Sequence, residues 1–239
     1  MPVSPPKFTR TAVLVVALFF SSFAVADGIV VSKIYDPYVQ PLETEIEWRF
    51  VSQRDDVDPD VHKQSIGFGR SLSDRWAAEF YAIGVQGHGE SFSVNAYELE
   101  AKWQLTEQGE YAFDWGLLFE LERDIEQNAW EVSTQLLAAR DFGRLTLTEN
   151  LGLIYEDGER VQGEIESTLR LQARYRLKET FEPSLELHVG QDTTAVGPLI
   201  SGLFRLGEGR KLRWELGLFA GISEQSPDRI VKANLEFEF

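Results

Sequence analysis

Three histidines, His62, His88 and His188, are the only imidazoles in this 239-residue chain, and cysteine is absent. Histidine is the usual general base near neutral pH, so acid–base or nucleophilic chemistry would have to start from these three. The stretch His88-Gly-Glu-Ser91 puts an imidazole, an acid and a hydroxyl close together. A lipid-modifying enzyme needs a Ser–His pair with an orienting polar group, but nearness in sequence is not triad geometry, and no lipase motif surrounds these residues. Glu186 and His188 would share one face of an extended strand and offer two metal ligands where three or four are normal. Without cysteine there is no disulfide and no thiolate metal site. The expectation is a protein that is not an enzyme, with no catalytic residue, no metal site and no cofactor.

The remaining chemistry is charge. The chain carries 39 acidic against 23 basic residues, a net charge of −16. A nucleic-acid partner would want a basic face, so none is expected. Residues 1–26 read as a signal peptide: Lys7 and Arg10, then an apolar run from Thr11 to Phe23, then Ala24-Val25-Ala26 before Asp27. That run is shorter than the roughly 20 residues a membrane helix needs. Residues 27–41 form a short leader expected in the periplasm, with the lumen of a barrel as its other possible place; Pro37 and Pro41 argue against a central strand there.

From residue 42 to 239 the sequence alternates apolar and polar, as a strand with one apolar and one polar face does. Tyr111, Phe113, Trp115, Leu117, Phe119 and Leu121 share one face, and Asp114, Glu120 and Glu122 share the other. Twelve such segments follow one another: 42–51, 64–72, 75–85, 93–106, 111–123, 129–140, 144–156, 163–177, 182–191, 198–206, 211–222 and 230–239. Many have the roughly 9–11 residues that a membrane-crossing strand needs. Connections after even-numbered segments look tight, such as Ser73-Asp74 and Gly207 to Arg210, and those after odd-numbered ones longer, such as Ser52 to Lys63. Trp76, Trp103 and Trp214 fall toward one end and Trp48 and Trp130 toward the other, as two aromatic girdles would. The fold predicted is an all-β antiparallel transmembrane barrel of about 12 strands over residues 42–239. A soluble β-sandwich or lipocalin-like barrel shows the same alternation with its apolar face turned inward.

If the apolar face meets lipid, the charged face lines a lumen. The first and last segments must then be neighbours, and Glu43, Glu45, Glu47, Glu236 and Glu238 form an acidic wall at the seam, with Arg49, Lys232 and Asn234 beside them. Arg140, Arg144, Arg174 and Arg176 are expected as a basic wall opposite. In a wet channel the two walls make a transverse field; in a narrow dry barrel the same charges pair and close it. Asp55, Asp56, Asp58 and Asp60 lie in the first loop, and Glu120, Glu122, Asp124, Glu131, Glu156 and Glu164 gather around later ones. Leu118, Gly67 and Gly69 on the inward face read as packing residues. Glu149 falls on the apolar face between Leu147 and Leu151, and a bulge resetting the alternation is the expected explanation.

The stretches PYVQPLETEIEWR, LTEQGEYAFDWGLLFELE and GPLISGLFRLGEGRKLRWELGLFAGISEQSPDRIVKANLEFEF resemble a family of uncharacterised proteobacterial outer-membrane β-barrels. They are more distantly similar to transporter barrels linked to the meta-cleavage pathway of phenol degradation. The resemblance covers most of residues 27–239 and implies fold and a bacterial outer-membrane location, with no substrate and no site residues. The last segment, ending on Phe239, resembles the C-terminal signature read by barrel-insertion machinery. The partners expected are outer-membrane lipid and lipopolysaccharide, that machinery through Phe239, and small solutes or divalent cations. The functional expectation is a passive channel for small polar or cationic solutes, with a non-conducting barrel closed by lumen salt bridges as its alternative.

Overall fold

In the computed structural model, residues 29–55, 60–87, 91–161 and 163–239 are described. The expected signal peptide, Asp56, Asp58 and His88 lie outside them. Twelve strands form: β1 (Thr44–Arg54), β2 (Val61–Ser71), β3 (Trp76–Gln86), β4 (Ser93–Gln104), β5 (Asp114–Asp124), β6 (Ala129–Phe142), β7 (Leu145–Gly158), β8 (Glu164–Tyr175), β9 (Glu182–Val189), β10 (Thr194–Gly207), β11 (Arg210–Gly221) and β12 (Arg229–Glu238). Each pairs antiparallel with its neighbours in sequence, and β1 pairs with β12, so the sheet closes on itself. The seam register sets Glu45 opposite Glu238 and Glu47 opposite Glu236. Thr44 and Phe239 exchange backbone hydrogen bonds of 3.2 and 2.8 Å, so β1 starts and β12 finishes at one end of the barrel, here the terminal end. Closure leaves no sheet edge, which is the condition for crossing a hydrocarbon layer with strands.

Exposure decides between the two folds that alternation allows. Along β7, Leu147, Leu151 and Leu153 are exposed while Thr146, Thr148 and Asn150 are buried. The same holds around the wall: Ile66, Leu99, Val132 and Leu218 face outward, and Lys232, His188, Glu47 and Glu186 are almost wholly buried. A soluble sandwich or lipocalin-like barrel would have the reverse. The outward stripe carries its aromatics near the ends, with Trp76 stacked on Trp103 at 5.1 Å at the terminal end and Arg123 over Trp130 at 5.0 Å toward the far end.

Each predicted segment is a strand, but three details differ. β10 begins at Thr194 and takes Pro198 into its interior, opposite Leu185 of β9. Proline has no amide proton, and the β10–β11 ladder skips it, resuming at Leu199. The loops do not show the expected asymmetry either. β1 and β2 pair as far as Gln53 and Val61, and Arg54 bonds Asp60 at 3.0 Å, so the first loop shrinks; the longest connection, 105–113, lies at the terminal end.

The third difference is Glu149. No bulge resets β7: its register runs unbroken against both neighbours, with Glu149 opposite Ala138 and Leu171. Glu149 is exposed on the apolar face, with no hydrogen bond or ion pair among the described residues. A carboxylate facing lipid is destabilising, though less so than a Lys or Arg. Glu149→Leu should therefore stabilise the barrel in lipid by about 1 kcal/mol. Reversible urea unfolding in liposomes measures this; a variant no more stable than the parent would mean that Glu149 does not meet hydrocarbon.

Candidate functional site

The lumen holds a piece of the chain that belongs to no strand. Residues 29–41 run through it from the far end to the terminal end, where β1 begins. This corrects the periplasmic placement of the leader. A non-strand segment inside a barrel must find partners for its backbone, and here the wall's side chains supply them. Asn150 clamps Tyr35 on both sides, accepting from its amide at 2.7 Å and donating to its carbonyl at 2.9 Å. The Val39 amide donates to Gln104 Oε1 at 2.8 Å, and Lys232 Nζ donates to the Ser32 carbonyl at 3.2 Å. Apolar contacts add to this: Val31 packs with Leu199, Phe219 and Ile230, and Tyr35 with Leu118 and Leu137. Gly116 lets the segment approach, since a Cβ there would stand 3.0 Å from the Cα and Cβ of Pro37. Gly67 does the same within the wall, where the Tyr81 ring fills the space a side chain would need.

The seam carboxylates come together as predicted, but they do not form a bare acidic wall. Lys33 of the threaded segment bonds Glu47 and Glu236, each at 2.9 Å. Arg49 bonds Glu47 at 2.7 Å and Glu100 at 2.9 Å, with its guanidinium 4.1 Å from the Tyr81 ring centroid. Lys211 and Arg213 both pair with Glu238. Glu45 sits in the same cluster beside Gly69 and Glu79. Burial first, then a hydrogen bond shared with Glu238, push the Glu43 carboxyl, just ahead of β1, up to about 7.

The expected basic wall does not exist as such. Arg174 does face the lumen, where it reaches Asp36 at 3.4 Å and Glu182 at 3.6 Å. Arg176 lies at the terminal rim, paired with Asp141 at 3.1 Å. Arg144 is in the exposed β6–β7 turn. Arg140 points outward: it faces Leu147 across the ladder and lies 4.6 Å from the exposed Phe142 ring. It shares the parity of Trp130, Val132 and Leu136, so its position on the strand puts it on the lipid side. Among the described residues these arginines therefore pair locally or lie outside the lumen and do not form a wall opposite the seam.

His188 and Glu186 lie together but not as a metal site. His188 Nε2 is 2.9 Å from Glu186 Oε2, Lys232 Nζ holds the same oxygen at 2.7 Å, and Gln172 donates to Glu186 Oε1 at 2.7 Å. The lysine already supplies the cation. Ser91 is exposed.

Among the described residues, a cavity lies on each side of the threaded segment. One of about 180 Å³ opens at the terminal end among Glu43, Glu45, Glu79, Lys102, Arg174 and Arg213. The other, of about 560 Å³, opens at the far end. Both are bounded by Lys33, Tyr35 and Asn234, so the threaded segment is the partition between them. Around the larger cavity, Glu98, Glu122, Glu131, Glu156 and Glu164 stand directly opposite one another in turn across β4 to β8. Sequence placed four of these in the acidic far half; Glu98 was missed, although its alternation in YELE carries the signal.

A closed antiparallel barrel with an apolar outer belt, aromatic ends and a polar, charge-paired interior is the architecture of a transmembrane β-barrel. No protein-family model matches the chain, and no curated protein sequence does. Among solved structures, an outer membrane channel from Pseudomonas putida F1 matches at a TM-score of 0.58 and 13% identity, covering 90% of this chain and 99% of that one. The KdgM porin in complex with disordered oligogalacturonate matches at 0.54 and 12% identity, covering 82% and 98%. The NanC porin matches at 0.53 and 8% identity, over 82% and 98%. At these identities the likeness is one of fold.

The Lys232–Glu186 pair is wholly buried, so removing one partner strands the other charge. Lys232→Met should destabilise the folded barrel by about 3 kcal/mol or more, whereas Lys232→Met with Glu186→Gln should recover much of that loss. Urea unfolding of both single variants and the double variant measures this, and a double loss equal to the sum of the two single losses would show that the pair is not coupled.

Proposed function

We propose that the protein is an outer-membrane channel for small polar or cationic solutes whose lumen is closed by its own residues 29–41. The observation that carries this reading is the partition: one segment outside the barrel wall separates two polar cavities that open at opposite ends. A 12-strand barrel is wide enough to hold a chain segment beside its lining side chains. The likeness in fold to two porins and an outer membrane channel supports the same class and an outer-membrane location, as does the distant resemblance to transporter barrels of the phenol-degradation meta-pathway. In this reading the terminal end faces the periplasm and the row of carboxylates faces outside, where it would concentrate cations and repel anions. The apolar belt would lie against lipid and lipopolysaccharide, and insertion would proceed through the strand that ends on Phe239.

The paired charges favour a closed resting state over an open pore. In planar bilayers the intact barrel is expected to stay closed or open rarely. Deletion of residues 29–40 should give steady steps of several-fold larger conductance, with cation preference that falls at high salt. A deletion variant that folds, inserts and still passes no current would contradict the channel and leave a structural barrel.

A further inference from the structure

At the floor of the larger cavity the carboxylates of Glu98, Glu100 and Glu120 each bring one oxygen within 4.8 Å of the others. Glu100 and Glu120 stand directly opposite across β4 and β5, where like charges repel unless something lies between them. Two of the three are fixed by neighbours. Glu120 Oε2 accepts from Gln135 Nε2 at 2.7 Å and from Ser133 Oγ. Glu100 Oε1 accepts from Tyr35 Oη at 2.7 Å and from Arg49 Nη1 at 2.9 Å. The second oxygen of Glu100, Oε2, is buried and has no hydrogen-bond partner, in a side chain only 1% exposed. A buried carboxylate oxygen left bare is costly; Arg49 pairs with Oε1, and the other two members of the cluster are acids that cannot donate to Oε2 when ionised. Donors that hold one oxygen of a carboxylate and leave the other bare are the arrangement found around metal-ligating acids.

We propose that Glu98, Glu100 and Glu120 bind one hard divalent cation, such as Ca²⁺, in the cavity that Glu98 and Glu120 line. The donors are all oxygens, and a separation of up to 4.8 Å is the span across an ion whose oxygen ligands lie about 2.4 Å away. The cavity has room for the waters that complete six to eight ligands. The ion would sit against Glu100, the acid that anchors the Tyr35 hydroxyl, and so beside the partition. The site stands on this geometry alone and holds whether or not the lumen conducts.

The test is calorimetric titration of the whole folded barrel in detergent with Ca²⁺, in about 0.15 M sodium chloride to suppress diffuse screening. One saturable site is expected, weak as open carboxylate sites are, with Kd on the order of 10⁻⁴ M. Glu98→Gln and Glu120→Gln should each weaken it at least tenfold, and Glu159→Gln, an exposed acid on the β7–β8 loop, should leave it unchanged. Because each substitution relieves repulsion, both variants should fold, as heat-modifiable mobility on a gel would show. Their melting temperatures without Ca²⁺ should equal or exceed that of the parent, and Ca²⁺ should raise only the parent's. Unsaturable heats, or a site that survives both substitutions, would overturn the proposal.

Discussion

The constraint on which the structure depends is that an apolar outer face sends nearly every charged side chain of the wall inward. Burying an ion without a partner costs several kcal/mol, so a lumen lined in this way must be wet or internally paired. Here it is largely paired. Glu47, Glu186 and Glu238 are almost fully buried, and each has a cation within bonding reach. Part of the compensation comes from outside the wall: Lys33, on the threaded segment, holds two acids on the two seam strands at once. The segment is thus a structural member of the barrel as well as an obstruction in it.

That dual role shapes the functional reading. Through the Lys33 bridges, the Asn150 clamp on Tyr35 and the Tyr35–Glu100 bond, the partition is tied to β1, β12, β7 and β4, on well-separated parts of the wall. Opening must therefore release several buried polar contacts together, which favours a rare, discrete event over a gradual one. The distribution of charge around the two cavities is uneven as well. Both cavities carry charges of both signs, but in the larger one the carboxylates form a row of directly opposed residues, with Lys63 near Glu122 at 3.9 Å.

The wall was legible in the sequence because period-two alternation is a local signal. Leu147, Leu151 and Leu153 against Thr146, Thr148 and Asn150 can be read from six residues. The inward carboxylates at the seam followed from parity and closure. The path of residues 29–41 had no local signature. They have no period, so nothing in them points to the lumen; their contacts are set by Asn150, Gln104 and Glu236, the last of these 203 residues from Lys33. Arg140 is a different case: its even position puts it with Trp130 and Leu136, and strand parity decides its side over its charge. At Glu149 the cost of lipid exposure predicts a bulge, yet the ladder keeps its register and leaves the carboxylate outside.

The central claim is that residues 29–41 lie in the lumen, and Pro37 with Gly116 offers a direct test. A Cβ on Gly116 would be 3.0 Å from Cβ of Pro37. That is close to the roughly 3.5–4.5 Å between the Cβ atoms of a disulfide. The chain has no cysteine, so a double variant, Pro37→Cys with Gly116→Cys, reports without background. Mild oxidation of the folded barrel in membranes is predicted to link the two, seen as altered mobility on a non-reducing gel. Two free thiols after oxidation in a double variant as stable as the parent, with Pro37→Cys alone also open to a membrane-impermeant reagent, would contradict the threaded lumen.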